Sequence, residues 1–191
     1  MNQAGHELVA PAPRRWDFLA GLMQELNFTS FVEVGCKEGR TAGHVLKTVP
    51  TAHVIAIDPW IANPAAANGD PTREDYAAWD FAAIEREFWS NVGEDAGRCE
   101  QWRTTSLEAA ARAADRAFDL VFIDALHDHE SVVDDIGAWL PRVRPGGVLA
   151  GHDFNHKWPG VERAVAEWFC LLDVGVGPDS VWFYVVPEAQ S

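Results

Sequence analysis

The sequence predicts an open, mostly parallel α/β sheet with helices wound on both faces. Three observations predict it. Strand-like and helix-like segments alternate down the chain. The stretch "FDLVFID" (118–124) is an almost unbroken apolar run, the pattern of a strand covered on both faces. Several strands end in an acid or a glycine, and such sheets bind ligands at the C-terminal ends of their strands.

The elements follow in order. Residues 1–13, rich in Ala and Pro, read as a flexible N-terminal arm, and 14–191 as a single domain. From 14 to 27, Trp16, Leu19, Ala20, Met23 and Leu26 recur at helical spacing. Phe31–Val34 reads as a strand, 41–49 as a helix with Val45 and Leu46 inward, and "HVIAID" (53–58) as a second strand. The segment of about 59–95 is longer than a helix crossover needs. It carries Trp60, Tyr76, Trp79, Phe81, Phe88 and Trp89, with a loop first and a helix expected over 76–92. Trp60, Tyr76, Trp79 and Trp89 are expected to pack among themselves or across a subunit interface.

"CEQWRTT" (99–105) reads as a third strand, and Thr105 with Glu108 forms a capping box opening a helix to about Arg116. After the 118–124 strand, Val132, Val133, Ile136, Trp139 and Leu140 make a helical stripe, and "RPGG" (144–147) reads as a turn. "VLAGHDF" (148–154) is a fifth strand and its exit. Val161, Val165, Trp168, Phe169 and Leu172 mark another helix. Strands near 172–176 and at 181–186 complete a seven-stranded sheet.

Composition bounds the function. The net charge of −14 argues against non-specific nucleic-acid binding and against an anionic membrane surface. No apolar run is long enough to span a bilayer, and the N-terminus lacks a signal pattern, so a cytoplasmic protein is expected. Cys36, Cys99 and Cys170 are scattered and read as reduced, mostly buried thiols.

The chemistry gathers at the strand ends. In "FVEVGCKEGRTA" (31–42), Gly35 lets the backbone turn sharply and approach a ligand, and Gly39 lets the next helix pack near the strand. A dinucleotide site would show G-x-G-x-x-G. Here Glu33 precedes the first glycine, a poor neighbour for pyrophosphate and a good one for an ammonium group. Asp58 ends the next strand, where a carboxylate can accept from both ribose hydroxyls. A ribose joined to a cationic amino acid points to S-adenosylmethionine (SAM).

"VEVGCKEGRTA" followed by "IAIDPW" resembles motifs I and II of the class I SAM-dependent methyltransferases. "FIDALHDHESVVDDIGAWLPRVRPGGVLAGHDF" is more specific. It resembles the small metal-dependent O-methyltransferases of macrolide and aminocoumarin sugars, with their FID-x-x-H, PGG and GHD motifs. The resemblance spans roughly 28–170 and implies a Rossmann-like fold. It implies a cofactor site of Glu33, Gly35, Gly39, Asp58, Ser106 and Asp124, in which Glu33 and Gly35 lie along the methionine moiety, Asp58 holds the ribose and Ser106 sits near the adenine. It further implies Asp124 and Asp153 as metal ligands and His127 as general base, with Mg²⁺ or Mn²⁺ as the metal. The sugar enzymes carry an acid where this chain has His152.

Asp124 and Asp153 end neighbouring strands about 4.8 Å apart, so both could reach one cation. Adding His152 would lean the site towards Mn²⁺, Fe²⁺ or Zn²⁺. Adjacent residues of an extended strand point to opposite faces, so His152 and Asp153 can share a metal only if the strand has ended. Asn155 and His156 are further candidates on the same loop.

The reading is therefore a SAM-dependent methyltransferase acting on a hydroxyl of a small polar acceptor: a sugar, polyol or catechol. A homo-oligomer is compatible with the aromatic insert. Three alternatives stay open: a metal-independent methyltransferase, a nicotinamide oxidoreductase, and a non-catalytic SAM-binding assembly protein.

Overall fold

The computed structural model describes residues 13–61 and 79–188. The N-terminal arm and most of the loop half of the aromatic insert, including Tyr76, lie outside the described residues. The elements are α1 (Arg15–Glu25), β1 (Ser30–Val34), α2 (Arg40–Thr48), β2 (His53–Ile57), α3 (Phe81–Val92), β3 (Cys99–Trp102) and α4 (Ser106–Arg112). They continue as β4 (Phe118–Ile123), α5 (His129–Trp139), β5 (Val143–Gly151), α6 (Pro159–Trp168), β6 (Val174–Val176) and β7 (Trp182–Val185).

The seven strands form one sheet in the order β3-β2-β1-β4-β5-β7-β6. β1 to β5 pair in parallel, and β7 runs antiparallel to both β5 and β6. Strand order reverses between β1 and β4, so a crevice opens there at the C-terminal edge. The mostly parallel, doubly wound sheet is the expected one.

Side-chain alternation divides the core in two. Phe31, Leu120 and Phe122 face one way and pack with Leu19, Met23, Val45, Leu46 and Phe88 from α1, α2 and α3. Val32, Val34, Val121 and Ile123 face the other way, onto Ala109, Val132, Ile136, Trp139 and Val165 from α4, α5 and α6. Both layers are buried, which explains why β4 reads as a continuous apolar run. Burying each large side chain contributes about 1.5–3 kcal/mol.

Several boundaries differ from expectation. β3 stops at Trp102, and Thr105 caps α4, its hydroxyl and the Glu108 carboxylate closing the capping box as anticipated. α4 ends at Arg112 rather than near Arg116. β5 begins at Val143, so "RPGG" lies inside a strand rather than in a turn between elements. The residues do bend: Gly146 has φ +73°, and the register slips between Phe118↔Val143 and Leu120↔Val148. The turn signal thus marks a bulge. α6 ends at Trp168, leaving Leu172 93% exposed beyond it rather than on its apolar face. Cys36 is buried, but Cys170 is exposed.

Candidate active site at the C-terminal edge of the sheet

A cleft of about 890 Å³ lies over the point where strand order reverses. Its wall is built from the C-terminal ends of β1, β2 and β4, the turn after β3, the loop after β5, the first turns of α1, α2 and α4, and the first two turns of α5. The volume suits a nucleoside-sized ligand plus a small second molecule.

The β1 turn works through close approach. Gly35 has φ +87°, and its N–H donates to Ile57 O at 2.8 Å. A Cβ there would collide with the Asp124 carbonyl and come within 2.8 Å of Ala125 Cα. Glycine is therefore what lets the β1 and β4 exits touch. Gly39 also has positive φ, +71°, but does not line the cleft. A Cβ there would strike the ring of Phe88, so its freedom serves packing against α3 rather than against the strand.

Glu33 lines the cleft at 2% exposure. Its Oε2 accepts from Ala42 N at 3.0 Å, which ties β1 to the first turn of α2. Burial, aided by the charge on Asp124, pushes its carboxyl up to about 8 against Arg15, Thr41 and Ala42. Asp58 accepts from Trp60 N at 2.7 Å and Lys37 N at 3.0 Å. It braces the β1 turn while lining the cleft, and its oxygens retain lone pairs for a ligand. Burial raises it, with the two N–H donors opposing.

The neighbouring Trp60 is fully buried, donates its indole N–H to Lys37 O at 3.0 Å and meets Phe88 edge-on at 5.3 Å. Trp89 packs on Phe88 at 5.1 Å. Trp79 lies on the cleft wall, its ring 4.1 Å from Lys37 Nζ. The insert's described aromatics thus pack among themselves, with Trp79 and Phe81 reaching the cleft.

At the β4–β5 end, Asp124, His152 and Asp153 each offer an atom within 4.8 Å of the others. The alternation problem is removed by the chain itself. β5 ends at Gly151, and Asp153 takes φ +58°, which swings its carboxylate back to the side of His152. His152 Nδ1 lies 3.2 Å from Asp153 Oδ1 and 3.6 Å from Asp124 Oδ1. His127 Nε2 lies 2.7 Å from Asp153 Oδ2 and 3.6 Å from Asp124 Oδ1, its ring stacked on Trp158 at 4.5 Å. Asn155 and His156 do not line the cleft.

The electrostatics follow from these pairings. Burial alone would lower His127, but its bonds to Asp124 and Asp153 hold it up at about 9. His152 is raised for the same reasons, its bond to Asp153 foremost among the raising effects. Burial works to raise Asp124 and Asp153, yet the histidines, with Arg15 beside Asp124, bring both below the usual carboxylate range.

Four contributors were not legible in the sequence. Arg15, in the first turn of α1, sets Nε 3.4 Å from Asp124 Oδ2 and Nη1 3.6 Å from Asp179 Oδ2. Asp179 and Ser180 both hold positive φ, a local strain that brings Asp179 Oδ2 within 3.9 Å of His152 Nε2. Trp158 forms the stack on His127. Asp135, on α5, lines the other end of the cleft and accepts from the hydroxyl of Ser106. For Asp135 alone there was a local signal, an acid inside an apolar helical stripe.

A family profile described as "Methyltransferase domain" matches residues 32–154, and the chain belongs to that family. It is a SAM-dependent methyltransferase with the class I fold. No curated protein sequence matches it. Among solved structures, the O-methyltransferase NovP is similar with a TM-score of 0.67 and 16% identity, over 91% of this chain and 80% of NovP. An O-methyltransferase of Bacillus cereus in complex with SAH gives 0.62 and 16%, over 92% and 82%. TomG of Streptomyces achromogenes, an O-methyltransferase involved in tomaymycin synthesis and seen with SAM, gives 0.61 and 15%, over 90% and 79%. At these identities the likeness is one of fold. No helix among the described residues is long and apolar enough to cross a membrane.

Proposed function

We propose that the protein transfers the methyl group of SAM to a hydroxyl oxygen of a small polar acceptor, with help from a divalent cation. The observation that carries this reading is the convergence of Asp124, His152 and Asp153 beside His127, next to the Gly35 turn. Two carboxylate oxygens and one imidazole nitrogen fit a Mn²⁺-like ion better than Mg²⁺, which favours oxygen.

Glu33 and the Gly35 turn would hold the methionine end, with Asp58 on the ribose and Ser106 towards the base. SAM supplies a methyl already activated by the sulfonium charge; the O–CH₃ bond forms as S–CH₃ breaks, and S-adenosylhomocysteine (SAH) leaves. The cleft's part is to hold the acceptor oxygen in line with that bond, which supplies much of the acceleration. A divalent cation on Asp124, His152 and Asp153 would lower the acceptor hydroxyl's pKa and offset the carboxylates' hold on the His127 proton. His127 then takes the acceptor's proton at Nε2. Trp158, stacked on the imidazole, holds the ring whose Nε2 lies against Asp153.

A metal-independent variant has one observation in its favour. Arg15 already sets a guanidinium against Asp124, so the acid has a cation of its own. Retention of a confirmed activity after EDTA treatment would select it.

The cofactor half is tested by calorimetric titration of SAH into wild type and Asp58→Ala. Binding that Asp58→Ala weakens at least about tenfold is expected, the loss of a charged hydrogen bond to ribose. Absence of SAH binding, with NADH binding instead, would overturn it.

A further inference from the structure

We propose that Arg15 receives a carboxylate of the methyl acceptor, which makes the acceptor an aromatic hydroxy acid. The proposal rests on the methyltransferase reading above and deepens it by naming the acceptor's class.

α1 buries Leu19, Ala20 and Met23 in the core and leaves Arg14, Arg15 and Trp16 on the cleft wall. The Arg15 guanidinium lies against the Trp16 ring, 5.5 Å from its centroid. Its carboxylate neighbours hold it loosely. Nε is 3.4 Å from Asp124 Oδ2, and Nη1 is 3.6 Å from Asp179 Oδ2. Nε is buried without a hydrogen-bond partner, and Nη2 has no ion-pair partner among the described residues. A guanidinium carries five donors in a rigid fork that matches a carboxylate.

Two other arginines show what a structural one looks like in the same protein. Arg98 donates to Val49 O, Ala52 O, Leu46 O and Asp95 Oδ1 at 2.6–3.2 Å. Arg144 donates to Asp119 Oδ1 at 2.6 Å and to Pro145 O at 2.9 Å. Arg15 has no side-chain bond of that quality, although it faces a cleft. A fork left under-used on a cleft wall is completed by a ligand anion.

The position says which ligand. Arg15 meets Oδ2 of Asp124, and His127 Nε2 approaches Oδ1 of the same carboxylate at 3.6 Å. A group on Arg15 and a hydroxyl at His127 can therefore belong to one small molecule. The acids nearby are already engaged. Asp153 meets His127 and His152 at 2.7 and 3.2 Å, and Asp179 accepts from Arg15 N at 3.3 Å. A divalent cation at Asp124, His152 and Asp153 would add positive charge beside Arg15, as does the N-terminal end of α1. The frame is aromatic, with Trp16 against Arg15 and Trp158 stacked on His127. An acceptor whose hydroxyl and carboxylate share a flat ring suits both the fork and these faces.

The test uses 2-hydroxybenzoate and its neutral isostere 2-hydroxybenzamide. Each is titrated into SAH-saturated wild type, Arg15→Gln and Arg15→Lys, with EDTA present so that chelation does not contribute. Wild type should bind the acid at least about tenfold more tightly than the amide. Arg15→Gln should bind the two within about threefold of each other. Arg15→Lys keeps the charge without the fork and should cut the preference several-fold; it decides the case if Arg15→Gln does not fold. Equal binding of the two by wild type, binding of neither, or full preference in the variants overturns the assignment while SAH binding leaves the cofactor reading intact. Wild type that does not bind SAH overturns both.

Discussion

His127 Nε2 and Asp153 Oδ2 are 2.7 Å apart, and the carboxylate reaches that position because Asp153 leaves β5 in a left-handed turn. Against burial, which would lower it, the carboxylates of Asp124 and Asp153 hold the imidazole up at about 9. The folded value exceeds the reference of about 6.5, so the protonated pair stabilises the fold. That stability is fully present below about 6.5 and fades as pH rises through 9. Histidine NMR titration of the metal-free protein should place His127 near 9, and Asp153→Asn should lower it by about one unit or more. A His127 that titrates at its reference value would remove the pair from the account.

His127→Ala should reduce turnover on any confirmed acceptor by about 100-fold or more, the usual contribution of a positioned base. SAH affinity should stay within about threefold, because the imidazole faces the acceptor end of the cleft. Steady-state kinetics beside calorimetry separate the two effects. An unchanged kcat would exclude His127 as the base.

Glu33 shifts stability with pH in the same direction as His127, but from burial rather than from a partner. Its folded pKa of about 8 lies above the unfolded value, so the fold binds this proton more tightly than the unfolded chain does. Stability is then greatest below the usual carboxylate range and falls as pH rises towards 8. Glu33→Gln, which keeps an acceptor for Ala42 N, should raise stability at pH 8 by about 1–3 kcal/mol and leave it nearly unchanged at pH 4. Urea melts at the two pH values check the sign.

Gly35→Ala should cost roughly 2 kcal/mol or more, because the new Cβ meets the unyielding backbone of Asp124 and Ala125 at a positive φ. It should also abolish SAH binding by forcing the β1 and β4 exits apart. Gly39→Ala should destabilise through Phe88 without a direct contact to ligand. Thermal melts with and without SAH distinguish them.

Much of this was legible in the sequence because strand ends are local features. Glu33, Gly35, Asp58, Asp124, His152 and Asp153 could all be singled out from apolar runs that stop, His127 came from the family resemblance, and the structure gathers them at one edge. The sharing of one point by His152 and Asp153 was not legible. It depends on the residue at which β5 ends and on a single left-handed dihedral. Arg15 and Asp179 were hidden for a different reason. They come from opposite ends of the chain and meet only because β7 folds back beside β5 while α1 packs on the same face. Gly39 was assigned to the wrong neighbour, since the Phe88 it accommodates lies far along the chain. The start of β5 was missed because a Pro-Gly-Gly bulge and a turn have the same composition.

The measurement that tests the central claim most directly is calorimetric titration of Mn²⁺ into the SAH-saturated protein, for wild type, Asp124→Asn and His152→Ala. The account predicts one site per chain in wild type, lost in Asp124→Asn and weakened at least about tenfold in His152→Ala. No Mn²⁺ binding by wild type, or the same binding in all three, would contradict it.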